Sequence, residues 1–345
     1  MTAPLGVAVV GAGYWGPNLV RNFEAFPGTE VRWVCDLDLD RARAIARQHG
    51  GLPTTASLDD VLSDSNVEAV AIATPVESHM EAALACLETG RHVLVEKPLA
   101  MSVADGRKLV TIADQRGLIL MCDHTYCYTP PVRRIREWSR GGGLGDIQYF
   151  DSIRINLGLI RSEIDVFWDL APHDLAILDF VLTEGCRPLA VAAHGADPIG
   201  AGQLCVGYLT MPLSGGGIAH VHVNWLSPTK VRRTIIGGSR RMVVWDDLEP
   251  ATPLSIYDKG VEFRVSAGEQ APREAHVSYR VGDMLAPALP QVEALAEVVA
   301  EFHGAIREER EPLTNGRAGL RVLEILEAAN ASLASGGALI PIEGP

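Results

Sequence analysis

The sequence has no apolar run near the ~20 residues needed to cross a bilayer, no internal repeat, no low-complexity linker and no CxxC pair. The first absence argues against a membrane protein. The six cysteines, Cys35, Cys86, Cys122, Cys127, Cys186 and Cys205, are scattered rather than clustered. That spacing excludes a disulfide framework and fits reduced thiols in a cytosol. Positive charge is scarce as well: 30 Lys and Arg against 43 Asp and Glu leave a formal net charge of −13. Nucleic acid and anionic membranes are therefore not expected partners. An anionic substrate would need local basic residues working against the global field. The stretch Met1–Val10 has no basic flank, so its apolar residues read as a first strand and not as a signal peptide. A cytoplasmic protein is expected.

What is present is an ordinary globular composition, 47% apolar and 21% charged. A chain of 345 residues suits two domains. The first third alternates strand and helix. Strands are expected at Leu5–Val10, Val31–Cys35, Ala69–Ala73, His92–Val95 and Leu118–Met121. Helices are expected at Trp15–Phe26, Leu39–His49 and Ser78–Thr89, and from the Ser102 cap to Arg116. Such alternation means βαβ units and a parallel sheet. It ends near Asp123, so residues 1–123 form one expected domain and 124–345 the other. In the second, helices are expected at Pro130–Trp138 and Trp168–Leu182, with a strand at Ile147–Leu157 between them. From Pro188 to Val265 several β-rich runs follow without helices: Leu189–His194, Leu204–Thr210, Ile218–Trp225, Val231–Ile236 and Met242–Trp245. They predict a mainly antiparallel sheet. Ala267–Pro290 reads as loop, and two helices, Pro290–Glu309 and Gly316–Ser335, close the chain.

The motifs sit at strand ends. Gly11-Ala12-Gly13-Tyr14-Trp15-Gly16 lies between the first strand and the first helix. Asp36 ends the second strand, about 20 positions on, as a dinucleotide fingerprint requires. Gly11 allows the tight turn, Gly13 the approach of a pyrophosphate, and Gly16 close helix–strand packing. The helix N-terminus then faces the phosphates. Asp36, followed by Leu37, would bind the adenosine ribose and repel a 2′-phosphate, which favours NAD over NADP. Arg41 and Arg43 leave room for NADP, and a loop-capping Asp36 is the plainer alternative. Thr74 and Pro75 follow the third long strand and would run along the cofactor. His79, one turn further, is either a cofactor-edge residue or an exposed helical histidine. Glu96-Lys97-Pro98 follows the next apolar strand. Ligands bind off the carboxyl ends of such strands, so Lys97 would place an ammonium beside the reacting carbon. The proline fixes the turn and admits a cis peptide.

These motifs in this order resemble the Gfo/Idh/MocA oxidoreductase family, and the resemblance spans essentially the whole chain. Asp169 and His173 match the family's Asp-x-x-x-His pair on a helix of the second domain. The segments Arg154–Arg161 and Val166–Asp174, the stretches His220–Leu226 and Lys230–Arg233, and Gly13–Arg21 are similar to the bacterial nucleotide-sugar 3-dehydrogenases, which act on UDP-N-acetylglucosamine or its uronic acid. The resemblance implies an α/β fold: a Rossmann NAD-binding domain followed by an α+β domain with a large, mainly antiparallel, open-faced sheet. It implies hydride transfer to NAD from the 3-hydroxyl of a nucleotide-linked hexose or amino sugar, no metal, and a homodimer or homotetramer paired through the open sheets. An NADPH-dependent 3-ketoreductase, an inositol or free-sugar dehydrogenase, and a dinucleotide-sensing regulator are the competing readings.

The expected roles follow. His173, four residues from Asp169 and so on the same helix face, takes the hydroxyl proton. Lys97 hydrogen-bonds the same oxygen. Asp169 orients the substrate or balances Lys97. Glu96, Tyr14 and Trp15 belong to the cofactor side. Trp168 either walls the nicotinamide or is core. Asn156 and Arg161 are candidate substrate contacts, Arg161 through bidentate pairing to an anion or else as a solvated loop residue. His220, His222 and Asn224 share one strand face, but no third ligand at matching spacing supports a metal.

Overall fold

A computed structural model describes residues 3–160, 164–182, 185–265 and 275–343. In chain order the elements are β1 (Leu5–Val10), α1 (Gly16–Ala25), β2 (Thr29–Cys35), α2 (Leu39–Gln48), β3 (Thr54–Thr55), α3 (Leu58–Ser63), β4 (Ala69–Ile72), α4 (His79–Glu88), β5 (His92–Glu96), α5 (Val103–Arg116) and β6 (Leu120–Asp123). Then come α6 (Pro130–Arg140), β7 (Ile147–Leu157), α7 (Val166–Val181), β8 (Ala190–Ala196), β9 (Val206–Pro212), β10 (Ile218–Asn224), β11 (Leu226–Gly238), β12 (Met242–Asp246), β13 (Leu254–Val265), β14 (Ala275–Leu285), α8 (Ala294–Arg307), α9 (Gly316–Ala334) and β15 (Ile340–Pro341).

The first sheet has the order β3-β2-β1-β4-β5-β6, and every pair is parallel. Every residue of β1 and β4 is buried, as continuous apolar runs covered on both faces require. Local chemistry sets the helix ends. The Asp38 side chain accepts from the N–H groups of Asp40 and Arg41 to open α2, and Ser102 accepts from Asp105 to open α5. Gly117, at φ 63°, closes α5 in the left-handed region.

The chain divides into two compact units, but not at a single cut after residue 123. The first holds 1–129, 291–327 and 343–345; the second holds 130–290 and 328–342. The expected domain 124–345 is thus corrected at its C-terminal end. The physical cause is the apolar stripe of α8, where Leu295, Val298, Val299, Phe302 and Ala305 are buried. Phe302 meets Phe23 of α1 edge-on, with ring centroids 6.5 Å apart, and Glu293 binds Arg21 and Asn22 of α1.

The second sheet, among the described residues, runs β14-β13-β12-β11-β7-β10-β9-β8-β15. It is antiparallel except that β7 and β10 run parallel. Helix α7 packs on β7, β9 and β10. The covered face carries Phe150, Leu209, Met211, Val221, Val223, Ile236 and Trp245, all buried. The expected loop at 267–290 is overturned in part: Ala275–Leu285 is an edge strand on β13. Its alternating Val277, Tyr279 and Val281 are exposed, so the apolar period marks no buried face.

Candidate active site

In the first unit the motifs gather at the carboxyl ends of β1, β2, β4 and β5. Gly11 has φ 102°, and a Cβ there would lie 2.5 Å from the Ala73 carbonyl. A Cβ on Gly16 would lie 2.1 Å from the Gly11 oxygen. Those two glycines are fixed by the protein's own backbone. Around Gly13, by contrast, nothing lies within 4 Å of an added Cβ. That open cradle sits at the N-terminus of α1, whose first turn has no acidic residue. Both features fit a pyrophosphate. Asp36 Oδ2 accepts from the Ala12 N–H at 2.6 Å, and Oδ1 from the Asp38 N–H at 2.8 Å. Asp36 therefore ties the glycine loop to the β2 loop, and each oxygen keeps a lone pair for a ribose hydroxyl. Arg41 is paired with Asp38 at 3.1 Å and Arg43 with Asp40 at 3.5 Å. Tyr14 and Leu37 are 85% and 93% exposed beside the loop, and Trp15 meets Tyr14 edge-on.

His79 is not an exposed helical residue. Its ring is buried, with Nδ1 2.8 Å from the Pro98 carbonyl and Nε2 3.0 Å from the Thr74 carbonyl. Burial pushes its pKa down, against the pull of the two carbonyls. It bolts the loop after β4 to the loop after β5, and so positions Thr74-Pro75 and Lys97-Pro98 without offering an edge of its own. Ser78 Oγ also lies within hydrogen-bond distance of Thr74 Oγ1 and of the Pro75 carbonyl, both at 2.8 Å. The Lys97–Pro98 peptide is cis.

Sequence reasoning named Glu96 but overlooked two further neighbours of this lysine, Asp123 and His124. Glu96 and Asp123 pair across β5 and β6, and both are buried. Burial raises both carboxyls; the Asp123 charge raises Glu96 further, while Thr125 and then Glu96 pull Asp123 back, to about 6. His124 is 2% exposed, and neither ring nitrogen has a partner. Burial, then the charges of Lys97 and Arg321, push it down to about 3. An Asp-His pair at the end of an apolar strand was the signal in the sequence.

The second unit presents Asp169 and His173 on α7. Asp165 caps that helix, accepting from the N–H groups of Phe167 and Trp168 at 2.9 and 3.1 Å. Trp225 Nε1 donates to Asp169 Oδ2 at 3.1 Å. Gly158, near the end of β7, lies so close to Trp225 that a Cβ would come within 2.6 Å of its ring. Behind the helix, Arg154 of β7 binds Asp174 through two bonds of 2.7 and 3.1 Å, and Ser152 donates to the same carboxylate at 2.6 Å. This buried cluster holds the residue next to His173. Trp168 is 7% exposed, and its Nε1 donates to Asn330 at 3.3 Å. The core reading of Trp168 is the one its surroundings match. Asn156 is half-buried on β7. Arg161 lies outside the described residues. His220 and His222 stack with Tyr208, at 6.0 and 4.4 Å between centroids. No group of three metal-binding side chains occurs among the described residues.

Residues 5–124 match the model of the Gfo/Idh/MocA oxidoreductase family, NAD-binding Rossmann fold. The chain is 28% identical over 318 residues to the UDP-N-acetylglucosamine 3-dehydrogenase of Acidithiobacillus ferrooxidans, covering 91% of this chain and 93% of that one. A solved structure of that enzyme superposes with a TM-score of 0.80 at 25% identity, covering 96% and 98% of the two chains. GenD2 of gentamicin A biosynthesis, solved in complex with NAD, gives 0.82 at 25% identity, over 100% and 98%. D-Apiose dehydrogenase of Paraburkholderia graminis is 24% identical over 349 residues, covering 95% and 88%.

Proposed function

We propose, for a chain whose residues 5–124 form a Gfo/Idh/MocA oxidoreductase domain, that the protein oxidises the 3-hydroxyl of a nucleotide-linked hexose or amino sugar to a 3-keto sugar. The observation that carries this reading is the end-to-end similarity to a UDP-N-acetylglucosamine 3-dehydrogenase. When bound, the nicotinamide would accept the hydride from the sugar carbon. The protein's part is to bind, orient and move the proton. Lys97 donates a hydrogen bond to the reacting oxygen and stabilises its developing negative charge. His173 takes the hydroxyl proton as general base. Asp169, oriented by Trp225, holds the substrate. Gly13 and the start of α1 carry the pyrophosphate, and Asp36 the adenosine ribose. In this reading Tyr14, Trp15, Leu37, Thr74, Pro75 and Glu96 serve the cofactor side and Asn156 the substrate side.

NAD is the preferred cofactor in this reading. Asp36 opposes a 2′-phosphate, and Arg41 and Arg43 already have carboxylate partners on α2 and its cap. The six cysteines, none of them in a disulfide among the described residues, support a reducing cytoplasm. The open face of the second sheet, with Tyr208 and Ile218 41% and 49% exposed, supports pairing with a second copy as a homodimer or homotetramer. A panel of nucleotide sugars and free sugars, each with NAD and with NADP, tests the reading by the absorbance of the reduced cofactor. UDP-linked amino sugars with NAD should give the fastest signal. Turnover of free pentoses or inositols only would overturn it in favour of a free-sugar dehydrogenase.

A further inference from the structure

Two carboxyl groups stand side by side next to the proposed catalytic lysine, and the function above gives them no joint role. Glu96 and Asp123 are the last residues of β5 and β6 and face each other in register. Their exposures are 6% and 1%. Each has one oxygen satisfied from outside the pair. The Lys97 N–H lies 3.3 Å from Glu96 Oε2, and Thr125 Oγ1 donates to Asp123 Oδ1 at 2.8 Å. The other two oxygens, Glu96 Oε1 and Asp123 Oδ2, are buried without any donor. Yet the two residues are register partners on adjacent strands, and each acts electrostatically on the other.

Two ionised carboxylates are not stable neighbours in such a place. Both would be acceptors only, and two like charges in contact away from water do not both ionise. One proton between Oε1 and Oδ2 removes both difficulties. It supplies the missing donor and leaves the pair with a single negative charge. That charge stands beside the Lys97 ammonium, which acts on both acids. Among the described residues, the other groups around the pair are neutral or lie beyond His124 and Tyr128. From β6 comes the Cys122 thiol, which burial pushes up, and directly after the strand the His124 ring, which burial keeps neutral. The turn after β6 brings Thr125, Cys127 and Tyr128, the last hydrogen-bonded to Thr314. From α9 comes the positive charge of Arg321, and behind Tyr128 lies Glu301 of α8, itself paired with Arg310.

We propose that Glu96 and Asp123 hold one proton between them and act through Lys97, as a carboxyl pair of single negative charge that keeps the lysine an ammonium and so a hydrogen-bond donor to the reacting oxygen. They are positioning residues, not proton acceptors of the reaction. The kinetic part of this inference rests on the proposed function; the shared proton does not.

The test therefore has two arms. Infrared spectra of the purified protein without substrate should show the C=O stretch of a protonated carboxylic acid at neutral pH. Glu96→Gln and Asp123→Asn should each abolish it, and Lys97→Met should keep it to higher pH. Carboxyl-carbon NMR of the unmutated protein, labelled at Asp and Glu, covers the case in which a variant fails to fold. Two side chains should then titrate together, the second proton leaving well above the ordinary carboxylate range. No protonated carboxyl at neutral pH, or a band that survives both amide variants, would overturn the proposal. In the kinetic arm, Glu96→Gln/Asp123→Asn removes the negative charge. The alkaline limb of kcat, where the ammonium loses its proton, should move down by about 1 pH unit or more. A variant with lower kcat and an unmoved limb would show a merely structural role. Failure of every nucleotide sugar to turn over would sink the functional reading and leave the infrared result standing.

Discussion

Asp36 already has a backbone N–H on each oxygen, so its removal loosens the glycine loop as well as deleting a charge. A hydrogen bond to a charged group contributes about 1.5–3 kcal/mol. Asp36→Ala should therefore weaken NAD by roughly tenfold or more by that measure, while NADP, relieved of repulsion, loses less. Calorimetric titration of both cofactors checks this, and an unchanged preference would contradict it. Lys97→Ala should leave NAD binding nearly intact and lower kcat by roughly 10²–10³-fold, the usual loss for one such donor. A near-normal kcat would remove Lys97 from the reacting oxygen. His124 makes a stability prediction. In the unfolded chain it titrates near the ordinary histidine pKa of about 6.5; in the fold it stays neutral to about 3. A histidine held neutral stabilises the fold above its unfolded pKa, and that stability drains away as pH falls from about 6.5 toward 3. His124→Leu should thus lose less urea resistance between pH 7 and pH 4.5 than the parent. Equal losses would show that His124 is not kept neutral.

Among the elements, α7 is held from both sides, by its Asp165 cap and by the Arg154–Asp174 pair beneath it. Breaking a buried ion pair by removing one partner costs about 3–5 kcal/mol. Asp174→Asn should show a loss of that order in denaturant titration, and a loss below 1 kcal/mol would mean the pair is replaceable by water. Much of this element was legible in sequence: the family resemblance points to Asp169 and His173, and the apolar residues around them announce a helix. Its anchors were not, because Arg154 and Ser152 read as the polar half of an alternating strand when they in fact face inward. The same holds in the first sheet. Glycine loop, Asp36 and Lys97 are marked by strand-end position, which is local. The partnership of Glu96 with Asp123 depends on β5 lying beside β6, and that of His79 on two loops meeting. Neither adjacency is written in a local pattern. The strand β14 was missed for a related reason: its apolar period is real but covers nothing.

At the scale of the whole molecule, the C-terminal helices decide how the chain divides, since α8 returns to the first unit through Phe302 and Glu293. The second sheet leaves a broad face on which Tyr208, His220 and His222 stack. If copies pair there, Tyr208→Arg should give monomers in analytical ultracentrifugation, and an unchanged oligomer would place the contact elsewhere. The central claim, oxidation at the sugar's third carbon, is best tested by following the hydrogen itself. A UDP-linked amino sugar deuterated at C3 should pass its label to NAD, giving deuterated NADH by mass spectrometry and slower hydride transfer. The same sugar deuterated at C4 should give unlabelled NADH. Label arriving from C4, or from neither position while NADH still forms, would contradict the account.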